Sequence, residues 1–169
     1  MKKIAKFEKV SYEQFKKDIL DCNSFKEEFI EEMYNNIVLP TRATRGSAGY
    51  DFCSPFKFIL EQNKTIKIPT GIRCCMEDGW VLQIYPRSSL GFKYRMQLDN
   101  SVGIVDEDYA YSDNEGHIFI KITNDSTNNN VLSVDMGESF AQGIFVEYGI
   151  TVDDTAAGVR NGGFGSTNR

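Results

Sequence analysis

Asp106, Glu107 and Asp108 end the apolar run Val102-Gly103-Ile104-Val105 and lead into the ring of Tyr109. The β-branched residues favour a strand, Gly103 lets another backbone or a ligand come close, and the acids mark the turn where the strand stops. A carboxylate so placed is both rigid and reachable. A hairpin with merely solvated acids has the same local signature, so the other polar segments decide the matter. Pro86-Arg87-Ser88-Ser89-Leu90-Gly91 supplies a guanidinium, two hydroxyls and exposed N–H groups at a turn, which are the parts of a phosphate-binding loop. Ala48-Gly49-Tyr50-Asp51-Phe52 sets an acid beside a glycine, and Gly137-Glu138-Ser139-Phe140-Ala141-Gln142 adds a further polar turn. The C-terminal Arg160-Asn161-Gly162-Gly163-Phe164-Gly165-Ser166-Thr167-Asn168-Arg169 is too rich in glycine to hold a fixed structure alone. Its arginine, aromatic ring and hydroxyls suggest an arm that orders on an anionic ligand, with a frayed tail as the alternative.

Composition limits the class of protein that can use these residues. A chain of 169 residues is most simply one domain, and its net charge of −5 argues against a broad basic surface for DNA or RNA. Any polyanion is therefore bound locally by a few arginines. No apolar core of about 7–15 residues follows Met1-Lys2-Lys3, and no stretch approaches the ~18 residues of a membrane span. The expectation is a soluble, unexported, cytoplasmic chain without a membrane or nucleic-acid partner. The four cysteines, Cys22, Cys53, Cys74 and Cys75, lack C-x-x-C spacing, and His117 is the single histidine. Neither a zinc site nor a disulfide framework is expected, and Cys74 and Cys75 should point to opposite faces of one strand. His117 is assigned a structural or surface role.

The positioning elements fall into three parts. In residues 1–36, Ser11-Tyr12-Glu13-Gln14 and Ser24-Phe25-Lys26-Glu27 fit the capping box of a helix start. Phe15, Ile19 and Leu20, and then Phe25, Phe29, Ile30 and Met33, make apolar stripes at helical spacing, so two short helices are expected as an accessory packing layer. Residues 37–151 read as short strands: Ile37–Leu39, Tyr50–Cys53, Lys57–Leu60, Lys64–Ile68, Gly71–Met76, Trp80–Tyr85, Leu98–Val105, His117–Asn124, Leu132–Val134 and Gln142–Tyr148. This pattern predicts an all-β barrel or jelly-roll-like sandwich. Residues 152–169 form the C-terminal arm.

Taken in order, the segments around Asp51, Arg87, Asn100–Tyr109, Gln142 and the glycine-rich tail resemble the five motifs of the homotrimeric dUTPase family, over about Leu39 to Thr167. The resemblance implies a β-clip, distorted jelly-roll subunit with a flexible C-terminal arm, and a homotrimer with active sites shared between subunits. It implies hydrolysis of dUTP to dUMP and diphosphate, which limits uracil incorporation into DNA and supplies dUMP for thymidylate synthesis. Mg²⁺ rides on the triphosphate, without a direct protein ligand. Asp106 matches the acid that activates water for attack on the α-phosphorus, and Tyr109 the ring that packs on deoxyribose and excludes a 2′-hydroxyl. Asn100, with the main chain at Gly103, Ile104 and Val105, matches the groups that read the uracil edge. Arg87, Ser88 and Ser89 match the phosphate turn, while Asp51 and Gln142 match positions that reach phosphates or magnesium through water. Arg160, Phe164, Gly165, Ser166 and Thr167 match the arm that closes over the ligand, expected on a neighbouring subunit.

The chain departs from the pattern in two places. Ser139 stands where the fourth motif usually has arginine, and the short turn after Tyr109 is lengthened to Ala110-Tyr111-Ser112-Asp113-Asn114-Glu115-Gly116, which implies a larger loop near the site. A dCTP deaminase shares this fold, but Lys121 occupies the place of the glutamate that deamination needs, and a lysine cannot act as that carboxylate. A non-catalytic nucleotide-binding regulator is the other alternative, opposed by the intact Asp106 and arm. Residues 1–36 lie outside the resemblance and inherit no role from it.

Overall fold

The computed structural model describes residues 2–22, 25–158 and 160. The N-terminal segment forms strand β1 (Ala5–Lys9), helix α1 (Tyr12–Cys22), a 3-10 turn (Glu27–Phe29) and helix α2 (Ile30–Asn35). Strands β2 (Thr41–Arg42), β3 (Tyr50–Cys53), β4 (Phe58–Leu60), β5 (Thr65–Pro69), β6 (Ile72–Met76) and β7 (Trp80–Pro86) follow. Helix α3 (Ser88–Tyr94) leads to β8 (Met96–Leu98), β9 (Gly103–Val105), a 3-10 turn (Glu107–Tyr111), β10 (Phe119–Asn124), β11 (Leu132–Val134) and β12 (Ser139–Glu147). All strand pairs are antiparallel, in a five-stranded sheet ordered β2-β3-β12-β7-β9, a three-stranded sheet β5-β10-β8, and the pairs β11-β4 and β1-β6. The fold is mostly β and jelly-roll-like, as expected from the run of short strands. The hydrogen bonding makes separate sheets and closes no barrel among the described residues.

Strand β1 is absent from the expectation of two helices alone. The charged Lys6, Glu8 and Lys9 disguise it, while Phe7 anchors it by packing its ring 5.4–5.7 Å from those of Tyr50, Phe52 and Phe145. Such an aromatic cluster adds about 0.5–1.5 kcal/mol per pair beyond area burial, enough to hold a short strand on the edge of β6. Helix α1 buries Phe15 and Ile19 and α2 buries Ile30 and Met33, all in the same hydrophobic cluster as the sheet residues Phe52, Leu82 and Phe140. Leu20 and Phe29, expected in the apolar stripes, are exposed. The segment is thus built into the core, and among the described residues no helix is long and apolar enough to cross a membrane.

The cap at Ser11 forms by half. Its hydroxyl accepts from the N–H of Gln14 at 3.1 Å, but the Gln14 amide turns to Asp18 at 2.8 Å. Glu115 replaces it from the far end of the chain, accepting from the Ser11 N–H at 2.7 Å and the Ser11 hydroxyl at 2.6 Å. Those bonds hold the Glu115 carboxyl below its ordinary value against the opposing effect of burial, which is the largest single influence. Ser24 lies outside the described residues.

Two strand boundaries differ for clear reasons. Ile37–Leu39 is no strand, because the Ile37 N–H bonds to Tyr34 at the helix end and the chain extends only after Pro40. Leu98–Val105 is broken at 99–102, where Ser101 has φ +64° and bonds back to Leu98 at 2.9 Å, so the turn-forming Asp99-Asn100-Ser101 outweighs the β-branched run. Cys74 is buried and Cys75 half-buried, consistent with opposite faces of β6, and the four cysteines are unpaired.

The lengthened loop 107–117 is a compact coil wound on itself. Gly116, at φ +71°, lies so close to the preceding turn that a Cβ there would stand 2.6 Å from Ala110 Cα and 2.8 Å from Tyr109 O. Gly116→Ala is expected to destabilise the protein by about 2–4 kcal/mol, from a disfavoured φ and a backbone clash together. Urea denaturation of both proteins checks this, and a difference under about 0.5 kcal/mol would contradict the packing described.

Candidate active site

Strand β7 positions two groups of polar residues. Its register against β12 pairs Tyr85 with Gln142 and Pro86 with Ala141, while β12 pairs Gln142 with Asp51 of β3. A bulge at Phe140 breaks the β12–β3 register between Ser139 and Ala141, burying the Phe140 ring and leaving the Ser139 hydroxyl beside Arg87. Asp51, Gln142, Ser139 and Arg87 therefore gather at the end of β7. The Arg87 guanidinium donates to Ser139 Oγ and sits 3.5 Å from Asp51 Oδ1, and the Gln142 amide donates to Pro86 O at 3.1 Å. At the position where an arginine was expected, Ser139 instead accepts a bond from Arg87. Ser88 and Ser89 follow, exposed, at the start of α3.

The second group sits at the other end. Strand β9 runs antiparallel to β7, with Gly103 opposite Ile84 and Val105 opposite Leu82. A Cβ on Gly103 would stand 3.1 Å from Ile84 Cβ, so the close approach foreseen at this glycine is made by the neighbouring strand. Asp106 follows directly, and the 3-10 turn bonds Tyr109 N back to Asp106 O at 3.1 Å. The Tyr109 ring is 4% exposed; its hydroxyl donates to His117 O at 2.8 Å and accepts from the Asn114 amide at 2.9 Å. Burial pushes its phenol above the ordinary value.

Arg160 closes over this group within the same chain. Its guanidinium pairs with Asp106, with Asp108 at 2.7 Å, and lies 5.8 Å from the centre of the Tyr109 ring. Its pKa is raised: burial opposes the charge most strongly, but the two carboxylates together outweigh it. Arg160 is thus seated on Asp106 and Asp108 of its own chain, as two adjoining acids draw a guanidinium within reach. Phe164, Gly165, Ser166 and Thr167 lie outside the described residues.

Between these ends lies a cavity of about 270 Å³, lined by Asn100, Gly103 and Val105 with Ile84, Leu98 and Ile120. At its rim the Lys121 ammonium pairs with Asp99 at 2.8 Å and Lys67 lies 4.3 Å over the Phe119 ring. Asp99 is held below its ordinary range: burial raises it, but bonds from Lys121 and Thr123 prevail. Ile104 points away and is exposed, so it can offer the cavity only its main chain. Strand β9 ends its sheet, and its outer edge pairs with no strand among the described residues. Asp108, Asp99 and Lys121 escaped the sequence reading as partners; the Asp106–Asp108 spacing was the available signal for the first, while the Asp99–Lys121 pair required the turn at 99–102.

Among the described residues no three His, Cys, Asp or Glu side chains converge as a metal cage. Asp51 and Gln142 offer hard oxygen donors beside Arg87, a set suited to a hydrated Mg²⁺.

Comparison with known proteins gives the same assignment as the motifs. A family model described as dUTPase matches residues 35–168. The deoxyuridine 5'-triphosphate nucleotidohydrolase of Lactococcus lactis is 39% identical over 134 residues, covering 78% of this chain and 88% of that relative. The crystal structure of dUTPase from Streptococcus mutans is similar with a TM-score of 0.64 and 30% identity, over 88% of this chain and 98% of that one. A dUTPase from phage phi11 of S. aureus, solved with a structural Mg(II) ion, has a TM-score of 0.60 at 19% identity, over 73% of this chain and 92% of that one. The motifs in order, the jelly-roll-like fold and these matches show that the chain belongs to the dUTPase family, enzymes that hydrolyse dUTP to dUMP.

Proposed function

We propose that the chain hydrolyses dUTP by attack of an Asp106-activated water on the α-phosphorus, in active sites shared between subunits of a homotrimer. The observation that carries this reading is the separation of the two polar groups along β7. Val105 lies opposite Leu82 and Asp106 follows it, so continuing the register sets Asp106 level with Val81, six residues before Arg87, about 20 Å at ~3.3 Å per residue of extended chain. A base must lie within hydrogen-bond reach of the water it activates, and Arg87 must hold the phosphates of the same substrate. Such a separation favours the two groups coming from different chains. A second copy presents its Arg87, Ser88, Ser89 and Gln142 to the first chain's Asp106.

On this reading uracil enters the cavity beside β9. The Asn100 amide and the unpaired edge of Gly103–Val105 supply the donors and acceptors for its polar edge, and the Tyr109 ring packs against the deoxyribose. Asp106 takes a proton from water as the oxygen bonds to the α-phosphorus; the α–β bridging bond breaks, and dUMP and diphosphate leave. Phosphoryl transfer asks mainly for positioning and charge neutralisation, which Arg87 and the arm supply. Mg²⁺ on the triphosphate would neutralise the leaving diphosphate, with Asp51 and Gln142 holding its hydration shell. Arg160 exchanges Asp106 and Asp108 for the outer phosphates as Phe164, Gly165, Ser166 and Thr167 close. The β-sheet unit is residues 37–151, with 1–36 as an extension packed into its hydrophobic core and 152–169 as the arm, in a cytoplasmic enzyme without a membrane or nucleic-acid partner.

Replacement of Asp106 by Asn keeps the shape and removes the base. The expected result is near-normal affinity for a non-hydrolysable dUTP analogue with kcat lower by about 10²–10⁴, and substantial turnover would remove Asp106 from the role. Tyr109 is tested by sugar choice: the wild type should strongly prefer dUTP to UTP and Tyr109→Ala should weaken that preference. Equal hydrolysis of the two by the wild type would refute the sugar pocket.

Shared sites are tested by mixing two inactive chains, Arg87→Ala and Asp106→Asn, unfolded together and refolded at equal ratio. Each site that joins Asp106 of the first to Arg87 of the second is whole, so about one quarter of wild-type activity should return. Mixed trimers, verified by mass, that stay inactive would exclude this division of the site.

A further inference from the structure

His117 and Asp18 form a buried polar pair that the proposed reaction does not use. His117 is 0% exposed and Asp18 8%, and Nδ1 of the imidazole lies 2.5 Å from Asp18 Oδ2. The Gly71 N–H donates to His117 Nε2 at 2.8 Å, which leaves Nδ1 as the protonated nitrogen and makes it the donor to Asp18. Both ring nitrogens are satisfied, so the ring's rotation and tautomer are fixed from two sides. The main chain of the same residue carries the consequence: its N–H bonds to Asn114 O at 3.0 Å, and its carbonyl accepts the Tyr109 hydroxyl at 2.8 Å. The Asn114 amide closes the circuit, donating to Tyr109 Oη at 2.9 Å and to His117 O at 3.3 Å.

A path of hydrogen bonds therefore runs from helix α1 to the ring of Tyr109. Asp18 belongs to the N-terminal segment, outside residues 35–168 that match the family model. A second contact between the same two parts, Glu115 with Ser11, ties the same end of the loop two residues earlier. Asp18 is held below its ordinary carboxylate value: burial raises it, but the bonds from His117 and Gln14 prevail. The segment thus holds a loop whose length exceeds the usual turn, and that loop carries the aromatic ring at the sugar.

We propose that Asp18 and His117 are positioning residues for sugar selection: α1 locks His117, and His117 fixes the height of the Tyr109 ring against C2′ of the substrate. The inference rests on the assignment of Tyr109 to the deoxyribose. A ring displaced by a fraction of an ångström leaves room for a 2′-hydroxyl while Asp106, held separately by β9, keeps its place.

The test is the ratio of kcat/KM for dUTP to that for UTP, measured well below the melting temperature for four proteins. Asp18→Ala should lower the ratio about tenfold, through a raised KM for dUTP and improved use of UTP, with kcat for dUTP within a few-fold of wild type. Asp18→Asn retains an oxygen that accepts from Nδ1 and should keep the wild-type ratio within about twofold. Ile19→Ala removes a buried side chain from the same helix without touching the pair; it should lower stability and leave the ratio intact. Imidazole ¹⁵N spectra should show the proton on Nδ1 in wild type and Asp18→Asn; in Asp18→Ala, where the Gly71 N–H still faces Nε2 but Nδ1–H has lost its acceptor, the Nδ1 resonance should shift and broaden by exchange. An unchanged ratio in folded Asp18→Ala, or an equal fall in Ile19→Ala, overturns the proposal. Should Asp18→Ala not fold, Asn114→Ala has to show the loss of selectivity, and an unchanged ratio there overturns it equally. A wild type that does not distinguish dUTP from UTP would instead defeat the sugar role of Tyr109, a failure distinct from that of the relay alone.

Discussion

The length of one strand governs how this molecule can work. Strand β7 is bonded to β12 on one side and β9 on the other, so its seven residues from Trp80 to Pro86 set the distance between the groups those neighbours carry. A hydrogen-bonded strand inside a sheet cannot be shortened without losing ladder bonds on both sides. Arg87, Asp51 and Gln142 stay at one end, and Asp106, Asp108 and Tyr109 at the other. On the proposed mechanism this rigidity makes oligomerisation a chemical requirement, because the phosphate clamp and the base come from different copies.

Positioning at the base end is achieved from outside the sheet. Loop 107–117 adds residues between β9 and β10, and a loop of that size needs external ties to be precise. It receives them from helix α1 and its cap Ser11, packed into the core through Phe15 and Ile19, and from β6. Glu115 bonds Ser11, His117 bonds Asp18, and Arg73 of β6 donates to Ala110 O at 2.8 Å. Each of these is a polar group removed from much of the solvent, where a lost partner costs about 1–3 kcal/mol, so the ties are strongly held.

The charged pairs around the site are of the opposite kind. Arg87 with Asp51, Lys121 with Asp99 and Arg160 with Asp106 all lie part-exposed, where such pairs are worth about 0–1 kcal/mol. On the proposed mechanism, guanidinium groups held so loosely are surrendered to the triphosphate, whose higher charge and bidentate geometry compete well with a single carboxylate. The carboxylates meanwhile keep the arginines near the site in a chain whose overall charge is −5.

Much of this was legible in residue order. Aromatic and aliphatic residues bounded by turn formers fixed Tyr50–Cys53 and Leu132–Val134; Asp106 and Arg87 stood out as an acid at a strand end and a guanidinium in a serine turn, while Asn100 was singled out by the family resemblance. Spacing alone also identified Ser11 as a cap, since a cap is decided within four residues. What the chain order could not show was set by contacts across it. The partner of Ser11 is Glu115 and not Gln14, β1 exists because Phe7 meets rings contributed by β3 and β12, and His117 acquires its role from an aspartate 99 residues away. Local propensity is a property of neighbours in sequence, whereas buried hydrogen bonds and strand registers select partners by proximity after folding. For that reason the sequence determined which groups could do the chemistry, and only the tertiary structure decided that strand β7 sets them at its opposite ends.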